Sequence, residues 1–292
     1  MTRPSGTRRL VDPQLLPLLD AWPQVTLTRE VLPAIRAIDR LPMPELTEAA
    51  AAVGLTRRSV PGPKGAPDVD VLVYRPRDAA VVLPGIFHIH GGGYVIGSVD
   101  AQEAHHRDMA ARLDCVIVTV DYRLAPETIF PGAVEDCYVA LSWVFACSDE
   151  LGIDPARIGV MGESAGGGLA AGLALLTRDR GEHQLAFQHL IYPMIDDRTC
   201  VHPDPHPHAG EFIWTPENNH FGWSALLGVE PGSEGVSSYA AAARADDLTG
   251  LPATYIATGG LDLFLEEDLD YARRLMRAGV PVELHVYPGG FH

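Results

Sequence analysis

The chain has 292 residues and a mass of 31.5 kDa, which is enough for one large α/β domain or two smaller ones. Apolar residues make up 47% and charged residues 21%, a composition that excludes a disordered chain and favours a large core. The formal net charge of −16 would repel a phosphate backbone, so we expect no nucleic-acid partner.

The N-terminal residues 1–55 form an amphipathic segment interrupted by prolines. Its start, MTRPSGTRRLVDPQLLPLLD, contains arginines but no apolar run of signal-peptide length. No run in the chain approaches the ~18 apolar residues of a membrane helix. The four cysteines are widely spaced without a C-x-x-C pair, which argues against a disulfide framework. We therefore expect a soluble, cytoplasmic protein without a membrane partner.

From residue 56 onward, apolar runs of strand length alternate with segments of helical pattern. Strands are predicted at 69–76, 85–90, 115–121, 157–162, 187–192, 253–258 and 282–287. Helices are predicted at 102–113, 132–148, 165–180 and 265–278. Continuously apolar strands indicate burial on both faces, so the predicted class is α/β, with a mainly parallel sheet flanked by helices.

Residues 196–245 interrupt this alternation with a stretch rich in proline, histidine and aromatic residues. We predict that this insertion and residues 1–55 form a helical cap over a core domain of residues 56–195 and 246–292. The aromatic residues predicted to form the core of the cap, with one or two of them lining a pocket, are Phe212, Trp214, Phe221 and Trp223. The histidines predicted to lie in a surface or lid loop, with a metal site as the alternative, are His202, His206 and His208.

Three consecutive glycines follow the strand predicted at 85–90, within FHIHGGGYVIGS. Successive glycines allow backbone N–H groups to turn toward one point, as in the HGGG oxyanion loop of lipases and esterases. Taken alone, the motif is also compatible with a plain loop. The predicted oxyanion donors of this loop are Gly91, Gly92 and Gly93.

A serine lies between the strand predicted at 157–162 and the helix predicted at 165–180, within the pentapeptide GESAG. G-x-S-x-G at such a position is typical of the nucleophile elbow of α/β-hydrolases, whose strained turn exposes the serine hydroxyl above the sheet. We predict that Ser164 is a nucleophile and that the N-terminus of the helix beginning there points toward any oxyanion that forms. The alternative is a glycine-rich turn with an incidental serine. The segment lacks the P-loop and dinucleotide-binding patterns, and no cofactor or metal is expected.

With these two motifs, the chain resembles the hormone-sensitive-lipase-like esterases, bacterial family IV of the α/β-hydrolases. VDYRLAPETIFPGAVEDC (120–137) is similar to the family's strand-to-helix connection, and GGLDLFLEEDLDYARRLMRAGVPVELHVYPGGFH (259–292) to its acid-to-histidine segment. The resemblance covers roughly residues 70–292. It departs from the family at Glu163, where aspartate is common.

The resemblance implies a Ser164–His292–Asp262 triad, in the hydrolase chain order of serine, acid and histidine. It also implies oxyanion donors from the glycine loop, chiefly Gly92 and Gly93, together with Ala165. The acids that rival Asp262 are predicted to form a solvated helix face, and they are Glu266, Glu267, Asp268 and Asp270. His285 lies within a predicted strand and is interpreted as a packed or edge residue. His105 and His106 are interpreted as structural.

The expected function is a serine carboxylesterase that hydrolyses small, short-chain acyl esters through an acyl-enzyme. A non-catalytic ligand-binding protein on the same fold and an amidase or lactonase are the alternatives. The expected partner is a small-molecule ester, and a homodimer is left open. Because family members continue with a further helix after the histidine, we expect the natural chain to continue beyond His292.

Overall fold

Eight strands form one sheet in the computed structural model, which describes residues 6–38, 45–79 and 81–292. The strands are β1 (Val53–Val60), β2 (Val69–Pro76), β3 (Leu83–Ile89), β4 (Val116–Val120), β5 (Ile153–Glu163), β6 (Phe187–Ile191), β7 (Ala253–Gly259) and β8 (Val282–Tyr287). Their order across the sheet is β1-β2-β4-β3-β5-β6-β7-β8. β2 runs antiparallel to β1 and β4, and the other neighbouring strands are parallel.

Every strand predicted from the sequence is present, and the predicted α/β class with a mainly parallel sheet is confirmed. β4 illustrates the reason, since all five of its residues are buried between the layers that cover the sheet. β1 was not predicted. It is an edge strand with exposed arginines, so no apolar pattern marks it, and it is paired through its backbone to β2.

Helices cover both faces of the sheet. The longer helices that follow the core strands are α4 (Glu103–Leu113), α5 (Gly132–Ala146), α7 (Ala165–Arg180) and α9 (Leu265–Arg277), and α6 (Ser148–Leu151) is a single turn. α4 covers one face, where Leu72 and Ile117 form part of a small apolar cluster. α5, α7 and α9 contribute to the main core on the other face. Within the described ranges, no helix is both long and apolar enough to cross a bilayer.

The two segments predicted to form a cap contain short helices. The described N-terminal residues form a 3₁₀ turn (Thr7–Leu10), α1 (Leu16–Ala21), α2 (Leu32–Arg36) and α3 (Glu48–Ala51), while residues 1–5 and 39–44 of this predicted segment lie outside the described residues. The insertion contains α8 (Pro216–Leu227), which begins after Thr215 as its N-cap. Asn218 of α8 joins the two segments, because its side chain accepts from Leu27 N at 2.8 Å and donates to Val25 O at 2.9 Å.

Candidate active site

Ser164 lies in the sharp turn between β5 and α7. Its φ of 55° is in the left-handed region, which costs a non-glycine residue free energy and indicates a strained turn. The flanking Gly166 is in close contact with β3, since a Cβ at this position would lie 2.1 Å from Ile89 O. Only glycine fits there. The G-x-S-x-G spacing is therefore the sequence signature of a tight strand-to-helix connection.

Ser164 is linked to two distant side chains by hydrogen bonds. His292 Nε2 lies 2.9 Å from Ser164 Oγ, and His292 Nδ1 lies 2.9 Å from Asp262 Oδ2. Asp262 is fully buried, and its Oδ1 accepts from Phe264 N at 2.9 Å. Asp262 follows β7 and His292 follows β8, and the carboxyl ends of parallel strands meet at one edge of the sheet. This topology brings together the three residues predicted from the sequence.

The imidazole of His292 is held from several sides. The loops after β7 and β8 are joined by Gly260 N–Tyr287 O and Leu261 N–Gly290 O hydrogen bonds, each 2.8 Å long. The His292 ring packs edge-on against Phe264 and Tyr192, with centroid distances of 5.2 and 4.7 Å. Together with the Asp262 carboxylate, these contacts fix the ring orientation that directs Nε2 to Ser164.

The glycine loop follows β3 and passes beside Ser164. A Cβ on Gly91 would lie 2.8 Å from Glu163 O and 3.4 Å from Ser164 Cβ, and one on Gly93 would meet the Trp214 ring at 2.1 Å. In the described part of the chain, no group accepts a hydrogen bond from the amide N–H of Gly92, Gly93 or Ala165. Three backbone donors near the serine hydroxyl are thus available to a ligand.

A cavity of about 360 Å³ opens onto Ser164. The predicted cap segments supply Trp22, Ile213 and Trp214, and the core supplies the glycine loop, Glu163 and Tyr192. Of the aromatic residues predicted for the insertion, Trp214 lines the cavity and Trp223 is fully buried. The volume is at the small end of the range for ligand pockets.

A buried chain of polar groups behind the serine was missed by the sequence analysis. His88 on β3 is fully buried, and its Nε2 lies 3.0 Å from both carboxylate oxygens of Glu163. His88 Nδ1 lies 3.2 Å from Thr119 Oγ1 and 3.1 Å from His106 Nε2. The only sequence signal was a histidine at a buried strand position, three residues before Gly91.

Two of the rival acids contradict the predicted solvated face. Glu267 and Asp268 are buried, whereas Glu266 and Asp270 are exposed. Glu267 accepts from Ile195 N at 2.7 Å and Asp196 N at 3.1 Å, so it joins α9 to the loop after β6. Burial raises the pKa of both Glu267 and Asp268 well above the usual range. The prediction was wrong because the first turn of α9 faces the core at these two positions.

The other histidines that the sequence analysis set apart from the triad make no hydrogen bond to Ser164 within the described residues. His285 is on the edge strand β8, where its Nε2 lies 2.7 Å from Glu283 Oε1. The 202–208 stretch is a largely exposed loop, and across the described ranges no group of three or more potential ligands could hold a metal ion. His105 is exposed on α4, and His106 is buried beside His88.

Two buried histidines predict an acid-sensitive fold. Burial lowers the pKa of His90 to about 4 and that of His106 to about 2, against ~6.5 in an unfolded chain. Below the pKa of ~6.5 that histidine has in the unfolded chain, the unfolded chain binds protons that the native state does not. The free energy of unfolding therefore decreases as the pH is lowered. At pH 5 each of the two histidines lowers the free energy of unfolding by about 2 kcal/mol relative to pH 7.5. Between pH 7.5 and pH 5, the free energy of unfolding measured with urea should therefore decrease by about 2 kcal/mol less in His106→Phe than in the wild type.

His285→Phe is the matched control for this measurement, because its imidazole is partly exposed on the edge strand. This variant should keep the pH dependence of the wild type. An unchanged pH dependence in His106→Phe would show that His106 is protonated in the folded protein.

Comparison with known proteins connects this geometry to a family. A family model described as alpha/beta hydrolase fold matches residues 86–292. Carboxylesterase NlhH of Mycobacterium tuberculosis is 34% identical over 298 residues, covering 100% of this chain and 91% of that protein. Esterase LipI of the same organism is 33% identical, covering 94% and 85%. The solved structure titled Bacterial Heroin Esterase has a TM-score of 0.87 and 39% identity, covering 98% of this chain and 91% of that one.

Proposed function

The chain belongs to the α/β-hydrolase fold family, in its hormone-sensitive-lipase-like branch, and is a carboxylesterase; on this premise we propose that it hydrolyses small, short-chain esters with Ser164 as nucleophile, His292 as general base and Asp262 as the orienting acid. The observation that carries the proposal is the pair of 2.9 Å hydrogen bonds that joins the three side chains through His292. Nucleophile, base and orienting group in mutual hydrogen-bond reach are what acyl transfer requires.

The chemistry proceeds in two acyl transfers. His292 Nε2 takes the hydroxyl proton as Ser164 Oγ attacks the ester carbonyl, and the imidazolium then protonates the departing alkoxide. The acyl group is left on Ser164, and water activated by His292 releases it. Asp262 holds the tautomer with the proton on Nδ1 and stabilises the imidazolium.

The tetrahedral oxyanion is bound by backbone N–H groups of the Gly91–Gly93 loop, chiefly Gly92 and Gly93, and of Ala165. The lack of acceptors for these three amides among the described residues supports this role. Ala165 is also the first residue of α7, so the positive end of the helix dipole adds to the stabilisation.

Residues 1–55 and 196–245 act as the cap that selects the substrate, over a core of residues 56–195 and 246–292. The support is the composition of the cavity wall, to which one segment contributes Trp22 and the other Ile213 and Trp214. Substrate selection by segments outside the sheet is common, since loops carry specificity on a rigid scaffold.

Hydrolysis of p-nitrophenyl esters from acetate to palmitate tests the function and the acyl preference together. A cavity of about 360 Å³ leaves most of a palmitoyl chain in water, so each added methylene beyond the cavity gains no burial. We expect kcat/KM to be highest for acetate to butyrate and roughly 100-fold lower for palmitate. A preference for palmitate would contradict the short-chain proposal, and no hydrolysis of any ester would contradict the proposed function.

A further inference from the structure

The cavity at Ser164 carries a negative charge that the proposed acyl transfer does not use. Glu163 is one of its lining residues, with 15% of its side chain exposed. In the described chain, the cavity wall contains no lysine or arginine, and its other titratable side chains are His90, His292 and Tyr192. Tyr192 is neutral at pH 7 because burial raises its pKa to about 12. His90 is neutral at pH 7 because burial lowers its pKa to about 4. Glu163 therefore sets the charge of the empty cavity.

The polar chain behind Glu163 keeps this carboxylate ionised and fixed. Burial opposes ionisation, but the adjacent His88 outweighs it, and the pKa of Glu163 lies below its usual value. His106 is neutral because burial lowers its pKa to about 2. Its Nδ1 has no partner in the described part of the chain, so we assign its proton to Nε2, which donates to His88 Nδ1. His88 Nε2 then donates to the two carboxylate oxygens of Glu163, which fixes the carboxylate at the cavity wall.

A second acceptor lies in the same wall. Gln102 lines the cavity, and its Oε1 is buried without a hydrogen-bond partner in the described residues. Gln102 precedes His106 by one helical turn, and His106 N donates to Gln102 O at 2.9 Å, so Gln102 lies at the N-terminal end of α4 on the same side of the helix as His106. Trp22 and Trp214 also line the cavity, and their aromatic rings attract cations.

We propose that this cavity selects esters that carry a cationic nitrogen, received by the Glu163 carboxylate with Gln102 Oε1 as a second acceptor. The inference rests on the proposed serine-esterase function, because it places the cation in the cavity that holds the reacting ester. A carboxylate in a confined, partly desolvated wall attracts a cation more strongly than an exposed surface acid does.

Isosteric ester pairs test the charge without changing the shape. Acetylcholine is compared with 3,3-dimethylbutyl acetate, and ethyl 4-(trimethylammonio)butanoate with ethyl 5,5-dimethylhexanoate. These pairs put the charge on the alcohol part and on the acyl part, respectively. We expect kcat/KM for the cationic member of at least one pair to exceed that of its neutral isostere by on the order of tenfold. The preference should persist at 1 M salt, where the Debye length is ~3 Å and long-range attraction to the acidic protein is screened.

Substitution of the carboxylate then assigns the preference to its source. Glu163→Gln should reduce the cation-to-neutral ratio to about one, whatever its effect on the neutral ester, and Glu163→Asp should retain part of it. Glu230→Gln is the control, because it removes one negative charge from an exposed side chain outside the cavity. It should leave the ratio unchanged.

Two results would overturn the proposal: equal or lower kcat/KM for both cationic esters in the wild type, or an undiminished ratio in folded Glu163→Gln. Hydrolysis of the neutral esters alone would leave the proposed function intact. If no ester is turned over, calorimetric titration of Ser164→Ala with the same pairs decides the matter. Tighter binding of a cationic ester supports the proposal, and equal binding contradicts it.

Discussion

Ser164→Ala should lower kcat for p-nitrophenyl butyrate by roughly 10⁴–10⁶-fold while the protein stays folded. The substitution removes the hydroxyl that we propose forms the acyl-enzyme, and among the described residues no other hydroxyl is hydrogen-bonded to His292 Nε2. The strained φ of 55° is not relieved by alanine, so we expect little change in stability. Steady-state kinetics and thermal unfolding measure the two effects separately.

Covalent labelling identifies the nucleophile directly. A phosphonate or sulfonyl fluoride should add one mass increment to the wild type, on the peptide that carries Ser164, and none to Ser164→Ala. Ser98→Ala is the matched control, since Ser98 lines the same cavity but lies in the loop after the glycines. This variant should still be labelled at Ser164. Labelling of Ser98, or near-normal turnover by Ser164→Ala, would refute the assignment.

The core strands and the serine turn could be predicted from the sequence because each has a local signature. β4 is a continuous apolar run, and the serine turn requires glycine at fixed offsets for steric reasons that recur in every such turn. Asp262 and His292 were identified through resemblance to a family, since thirty residues separate them and no local pattern marks their contact.

The buried polar groups could not be predicted, because their partners come from separate elements. His88 is on β3, Glu163 ends β5 and His106 is on α4, and only the register of β3 against β5 brings the first two together. The same holds for Glu267, whose partners are backbone N–H groups of a loop 71 or 72 residues away. Sequence periodicity distinguishes apolar from polar faces of a helix. It misassigns an acid that is buried because backbone N–H groups of a loop donate hydrogen bonds to it.

Two fully buried aspartates that follow β7 allow a decisive comparison. We expect Asp262→Asn to lower kcat by on the order of 10⁴-fold, because the amide would hold His292 in the tautomer whose Nε2 carries a proton and cannot accept one. Asp262 is the acid bonded to His292, at 2.9 Å, and its second oxygen is fixed by Phe264 N. The measurement is kcat/KM for p-nitrophenyl butyrate across pH 6–9, together with thermal unfolding of each variant.

Asp268→Asn is the matched control for Asp262→Asn, since both positions are fully buried and the substitution is the same. Burial raises the pKa of Asp268 well above its usual range, so the folded protein favours the protonated carboxyl there. In the unfolded chain the Asp268 carboxyl ionises as the pH rises through ~3.9, whereas in the native state it keeps its proton to a higher pH. This difference lowers the free energy of unfolding as the pH rises. Asparagine has no proton to lose, so Asp268→Asn should flatten that pH dependence while turnover stays within about threefold of the wild type. If Asp268→Asn abolishes turnover and Asp262→Asn does not, then the acid that orients His292 is Asp268, and the hydrogen bond to Asp262 has no catalytic role.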